Sequence, residues 1–178
     1  MKFRTQRSSE KLLKIMPVLA WIVVMLYVAE AGAILISYCI SCVNPEGAKN
    51  IYMGLNLYDL RQYSFWYYTG SVVFMVVLPL MKAWISFLVV KTLSKFNLQN
   101  PFTMEVAGRL EKISLFALAT WFVTLLNNIY VSLIMKTTGK NAGNMLSTEF
   151  IFMVGILFII TTVFRRGVEI QSENELTV

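Results

Sequence analysis

Histidine is missing from this chain, and cysteine occurs only at Cys39 and Cys42. Together these shortages exclude His-dependent catalysis, a zinc site of the usual kind and a secreted scaffold held by many disulfides. Charge is scarce too. Only 15% of the 178 residues are charged, where a soluble domain carries about a quarter. What fills the space is apolar: 57% of residues are hydrophobic, and the mean hydropathy is +0.62. That balance argues against a water-soluble globule. The length suits one domain, residues 1–178, and contains no internal repeat or low-complexity run.

A hydrocarbon core about 30 Å thick needs roughly 20 mostly apolar residues per helix. Four segments meet that need, at about 16–42, 65–90, 113–135 and 146–164. Between them lie polar stretches rich in turn residues: Asn44-Pro45-Glu46-Gly47, then Asn97 to Pro101, then Thr137 to Gly143. The expected fold is all-α, a polytopic membrane protein built as a four-transmembrane-helix bundle. The first apolar run is too long for a signal peptide, and its small residues Ala31, Gly32 and Ala33 sit mid-run rather than at a cleavage position.

Orientation follows from where the cations fall. Lys2, Arg4, Arg7, Lys11 and Lys14 precede the first span. Lys91, Lys95, Arg109 and Lys112 lie between spans two and three, and Arg165 and Arg166 follow the fourth. Lys49, Arg61, Lys136 and Lys140 occupy the other side. The bias predicts both termini in the cytoplasm of a cell bounded by an inner membrane, an outer loop at 43–64, a cytoplasmic loop at 91–112 and a cytoplasmic tail at 165–178. The cations then serve topology and contact anionic lipid head groups. Direct nucleic-acid binding is not expected, because no surface domain presents them. Phe65-Trp66-Tyr67-Tyr68, at the outer end of the second span, reads as an interfacial aromatic anchor.

Inside the spans, Glu30 lies near the middle of the first. A carboxylate at that depth faces the bundle interior or marks a pathway. Lys82, on the second, antiparallel span, is its expected partner in an intramembrane polar pair. Pro79, one turn before Lys82, removes a backbone hydrogen bond and serves packing. Asn127 and Asn128 in the third span read as glue between helices. Cys39 and Cys42 stand three apart as Cys-Ile-Ser-Cys; they read as incidental thiols, with a disulfide and redox chemistry as alternatives. Pro101 biases Asn100 away from helix, so the second span must end before it, and Thr103 then caps a helix running into the third span. The tail carries the acidic pair Glu173 and Glu175 and the apolar Leu176 and Val178, on a partly extended edge.

Two stretches are distinctive together: Asn100-Pro101-Phe102 followed by a helix bearing Arg109 and Leu110, and the run from Gly167 to Val178 ending Glu-Asn-Glu-Leu-Thr-Val. With four spans and a long first outer loop, the chain resembles the bacterial membrane family catalogued as domain of unknown function 2975, over nearly its whole length. The resemblance brings no catalytic residues. It implies a context, since similar proteins are often encoded beside a small helix-turn-helix regulator of the Cro/repressor type.

The leading expectation is therefore a non-enzymatic membrane protein, without metal or cofactor, that binds or sequesters such a regulator. Docking would use Asn100, Pro101, Phe102, Arg109, Arg165, Arg166, Glu173, Glu175, Leu176 and Val178, and the Glu30 and Lys82 pair would sense a signal. A homo-oligomer is open. One alternative is a proton-coupled transporter of small molecules that uses Glu30. The other is a membrane thiol oxidoreductase that uses Cys39 and Cys42; enzymes of that kind relay electrons between two cysteine pairs, and this chain has one.

Overall fold

The computed structural model describes residues 2–94 and 102–176, with the side chains of 15–94 and 102–173. Among these residues five α-helices occur in order: α1 (Lys2–Val43), α2 (Tyr58–Tyr63), α3 (Phe65–Leu93), α4 (Met104–Thr138) and α5 (Ile151–Leu176). A short 3-10 helix covers Pro45–Lys49, and no strand occurs among the described residues. Four stretches are long and apolar enough to cross a membrane: Ile15–Val43, Phe65–Leu93, Met104–Thr138 and Ile151–Glu173. The chain is thus all-helical with the make-up of a multi-pass membrane protein. Their exposed surfaces are apolar, as at Met25, Leu26, Ile159 and Val163, because lipid rather than water is their solvent.

The chain forms two compact units that share α1, α3 and α4. One comprises Met1–Met25, Ala83–Leu118 and Glu149–Val178. In it Trp84 meets Phe87 and Phe116, Trp21 meets Phe87, and Ser114 and Thr161 bring their hydroxyls within 3.0 Å. The other comprises Leu26–Lys82 and Ala119–Thr148. Its core joins Ala31 and Ile34 of α1, Val72 and Val76 of α3, and Val131 and Ile134 of α4 to the buried Ala48, Ile51, Leu57 and Leu60 of the first connection.

That first connection is folded rather than loose. Asn44 caps the 3-10 helix by accepting from Glu46 N–H at 3.0 Å, with Pro45 at its first position. The chain then turns through Met53 and Gly54, both at positive φ (48° and 81°), held by a 3.0 Å bond from Gly54 N–H to Asn50 Oδ1. Asn56 accepts from Tyr58 N–H at 2.9 Å to start α2. Two further bonds close the module: Leu57 N–H to Ala48 O at 2.8 Å and Ile51 N–H to Leu55 O at 2.9 Å.

Thr103 caps α4 as expected, accepting from Val106 N–H at 3.3 Å. Three boundaries differ from the hydropathy reading. Helix α1 begins at Lys2, upstream of the apolar run at 16, because Lys, Glu, Arg and Gln there are good helix formers. Lys91 lies in α3, and Arg109 and Lys112 lie in α4, so much of the polar connection at 91–112 is helical. The acidic edge at Glu173 and Glu175, expected to be partly extended, is instead the last turn of α5, which runs as helix to Leu176.

The fourth apolar segment departs most. Helix α5 starts at Ile151 and not near 146. Before it, the chain leaves α4 at Gly139 (φ 67°) and folds back along that helix. Ala142 is buried with Val131 and Ile134, Asn144 reaches Asn127, Leu146 reaches Asn128, and Thr148 reaches Trp121. From Ile134 to Trp121 is about 20 Å of helix, and from Ala142 to Thr148 is about 20 Å of extended chain. The two lengths agree, so 142–148 runs extended and antiparallel beside α4.

Candidate functional site

Two groups of residues carry the polar features. The first binds the start of α4 to the end of α5. Phe102 packs on Phe164 with ring centroids 5.3 Å apart and lies over Gly167. A Cβ on Gly167 would overlap the Phe102 ring, so the glycine makes this approach feasible. Arg109 donates to the Lys91 carbonyl near the end of α3 and pairs with Glu105 at 2.7 Å. Arg165 stands 3.9 Å from Glu111, and Arg166 pairs with Glu169 at 2.8 Å along α5.

The structure thus gathers Phe102, Arg109, Arg165 and Arg166 among the residues expected for docking. Glu173 is exposed on the last turns of α5. Glu175 and Leu176 lie on the α5 backbone, with side chains outside the described residues; Asn100, Pro101 and Val178 lie outside them altogether. Gly167 had no role in the sequence reading. A glycine inside a helix that runs past its apolar segment was the signal for it.

The second group is intramembrane. Lys82 places its ammonium 5.7 Å from the ring centre of Tyr27, a cation–π contact. Tyr27 and Glu30 are three residues apart and share a face of α1, so the structure brings Lys82 to the face that carries Glu30. Glu30 is half-buried and its neighbour Ala31 is buried.

Asn127 and Asn128 correct the sequence reading. They bond backbone of the returning segment instead of joining two helices. Asn128 donates to Leu146 O at 2.8 Å and accepts from Leu146 N–H at 2.9 Å. Asn127 donates to Asn144 O at 3.4 Å, and Trp121 Nε1 donates to Thr148 O at 3.1 Å. Backbone groups outside a helix and packed against an apolar one need such partners. Trp121 and Glu149, which follows Thr148, were absent from the sequence reading. A carboxylate inside an apolar segment read as 146–164 was the overlooked signal.

Nearer the first connection, Ser41 donates to Tyr38 O at 2.8 Å, so the fully buried Tyr68 hydroxyl donates to Ser41 Oγ at 2.6 Å. Tyr38 shares a 3.0 Å bond with Thr69. Tyr130 reaches over Gly70 to donate to Tyr67 O at 2.9 Å, and a Cβ on Gly70 would collide with its hydroxyl. Beside this cluster lies an apolar groove of about 150 Å³ between Leu35, Tyr38, Val73 and Val77. Cys39 and Cys42 are exposed, free thiols on α1. In the first connection, a hydrogen bond from its ammonium to Glu46 raises the pKa of the exposed Lys49 above the ordinary lysine value.

No curated protein and no solved structure matches the chain. The family described as Protein of unknown function (DUF2975) matches residues 15–178. That match takes in both stretches on which the resemblance rested, from the Asn-Pro-Phe motif to the terminal tail, and this multi-pass, all-helical chain belongs to the DUF2975 family.

Proposed function

We propose that this protein is a non-enzymatic, multi-pass protein of the bacterial inner membrane that docks a small helix-turn-helix transcriptional regulator on its cytoplasmic side. The carrying observation is the packing of Phe102 on Phe164 and Gly167. It brings Phe102, from the first distinctive stretch, against Gly167 at the start of the second. Helix α5 runs past Arg165 and Arg166 to Glu173, and the exposed carboxylate of Glu173 suits a basic DNA-binding partner. The excess of Lys and Arg at 2–14, 91–112 and 165–166 supports placing both termini in the cytoplasm. The intramembrane Glu30 and Lys82 are the groups through which a membrane signal would act.

The test is co-purification of a helix-turn-helix regulator encoded beside the gene, where there is one, with detergent-solubilised full-length protein. Deleting residues 171–178 should abolish recovery while leaving the amount of protein in the membrane unchanged. Gly167→Val, which displaces Phe102, should reduce recovery as well. Unchanged recovery with both variants refutes docking at this surface. Orientation is checked separately with a carboxyl-terminal tag, which protease should remove in inverted vesicles and spare in intact spheroplasts.

A further inference from the structure

Arg61, on α2, is a half-buried cation without a counter-ion. Its guanidinium lies over the Phe65 ring, 6.0 Å from the ring centre. Among the described residues no carboxylate pairs with it, and its Nε is buried with no hydrogen-bond partner. Of the acids in the same connection, Glu46 is held by Lys49. Asp59 stands two residues before Arg61 and so on a different face of α2. A buried donor left open calls for a partner from outside the chain.

Arg61 sits where α1 and α3 come together at one end. Phe65 stacks on Tyr38 with ring centres 6.4 Å apart, and Tyr68 bonds Ser41. These residues close the candidate spans Ile15–Val43 and Phe65–Leu93, so Arg61 lies just beyond the ends of both. From Tyr38 and Thr69 the apolar groove runs back along the two helices, past Leu35 and Val73 to Val77. Thr69 to Val77 is about 12 Å of helix, and Leu35, Val73 and Val77 are exposed, so the groove opens outward. At its mouth the hydroxyls of Tyr38 and Thr69 share one 3.0 Å bond. That bond uses one of their two hydrogens and leaves the other to donate.

An unpaired guanidinium, a spare hydroxyl donor and an apolar trough thus follow one another. One amphiphile has its groups in that order: phosphate, glycerol ester, acyl chain. We propose that Arg61, the Tyr38–Thr69 pair and the groove hold a single acidic phospholipid. Its phosphodiester sits on Arg61, whose fork of N–H groups matches phosphate in bidentate fashion. An ester carbonyl accepts from the hydroxyl pair, and one acyl chain lies against Leu35, Val73 and Val77. A zwitterionic lipid suits the site less, because its own ammonium competes with Arg61 for the phosphate. The site requires that these helices meet lipid. It is independent of which membrane face this end occupies and of regulator docking.

Native mass spectrometry of the full-length protein, released from mild detergent, counts bound lipid when phosphatidylglycerol and phosphatidylethanolamine are supplied in equal amounts. The parent should retain one phosphatidylglycerol in preference. Arg61→Gln should lower that retention at least about tenfold. Val73→Trp, which fills the groove from an exposed position, should lower it with Arg61 still in place. Arg61→Lys keeps the charge and loses the fork, so it should retain more than Arg61→Gln. Lys136→Gln, at an exposed cation on α4, should leave retention unchanged. Equal retention of both lipids by the parent overturns the proposal, as does undiminished retention in Arg61→Gln. A drop in Lys136→Gln as large as that in Arg61→Gln also overturns it, because net charge alone would then govern binding. A lipid-free dimer of the parent, dispersed by Val73→Trp, overturns it in favour of a second copy in the groove.

Discussion

Replacing Asn128 with leucine removes both side-chain bonds to Leu146, at 2.8 and 2.9 Å. The shapes are similar, and lipid-facing apolar atoms gain little in a membrane, because acyl chains are as apolar as leucine. The change is therefore dominated by two orphaned backbone groups. An unsatisfied group is unfavourable by about 1–3 kcal/mol, whereas polar contacts between membrane helices average only about 0.6 kcal/mol. Leu146 is 36% exposed, which favours the low end for each group and gives a total of about 2 kcal/mol, or roughly 30-fold in the folding equilibrium. Asn127 makes only long contacts, to Asn144 O and Asn128 Oδ1, both at 3.4 Å, so Asn127→Leu should lower stability less, by roughly 0.5 kcal/mol. Unfolding in mixed micelles with rising dodecyl sulfate, followed by tryptophan fluorescence, measures both variants; Trp121 bonds to Thr148 and reports on the same segment. If Asn128→Leu matches the parent, or Asn127→Leu is the more damaging, the returning segment is not held as described.

Two further outcomes are expected from the packing of Leu26–Lys82 with Ala119–Thr148. Gly70→Ala should destabilise by about 1–3 kcal/mol through overpacking against Tyr130, and Tyr130→Phe in the same chain should recover part of that loss, a coupling that a double-mutant cycle would measure. Ser41→Ala should be worse than Tyr68→Phe, by about 1 kcal/mol in thermal or detergent unfolding. The serine variant strands the buried Tyr68 hydroxyl, while in the phenylalanine variant Ser41 keeps its bond to Tyr38 O. Equal effects would mean that the hydroxyl of Tyr68 has another partner.

What was legible in the sequence rests on solvent. Twenty or more apolar residues in a row have one stable state in hydrocarbon, and that local condition marked the apolar stretches of α1, α3 and α4, although α1 begins at Lys2 and α4 at Met104. Caps are local too, so Thr103 could be read from its spacing to Val106. The functions of Asn127 and Asn128 could not be read that way. Their partners lie 17 and 18 residues further on, and hydropathy scores the intervening chain identically whether it turns back as extended backbone or continues as helix. Glu149 was passed over for the same reason. Gly70 and Gly167 acquire meaning only when Tyr130 and Phe102 arrive from distant helices. By itself, then, the amino-acid order determined that the chain carries four segments apolar enough to cross a membrane, and to which family it belongs. Tertiary structure alone decided which backbone Asn127 and Asn128 satisfy and where the extended segment after α4 gives way to helix α5, because those outcomes depend on hydrogen-bond partners brought together by folding.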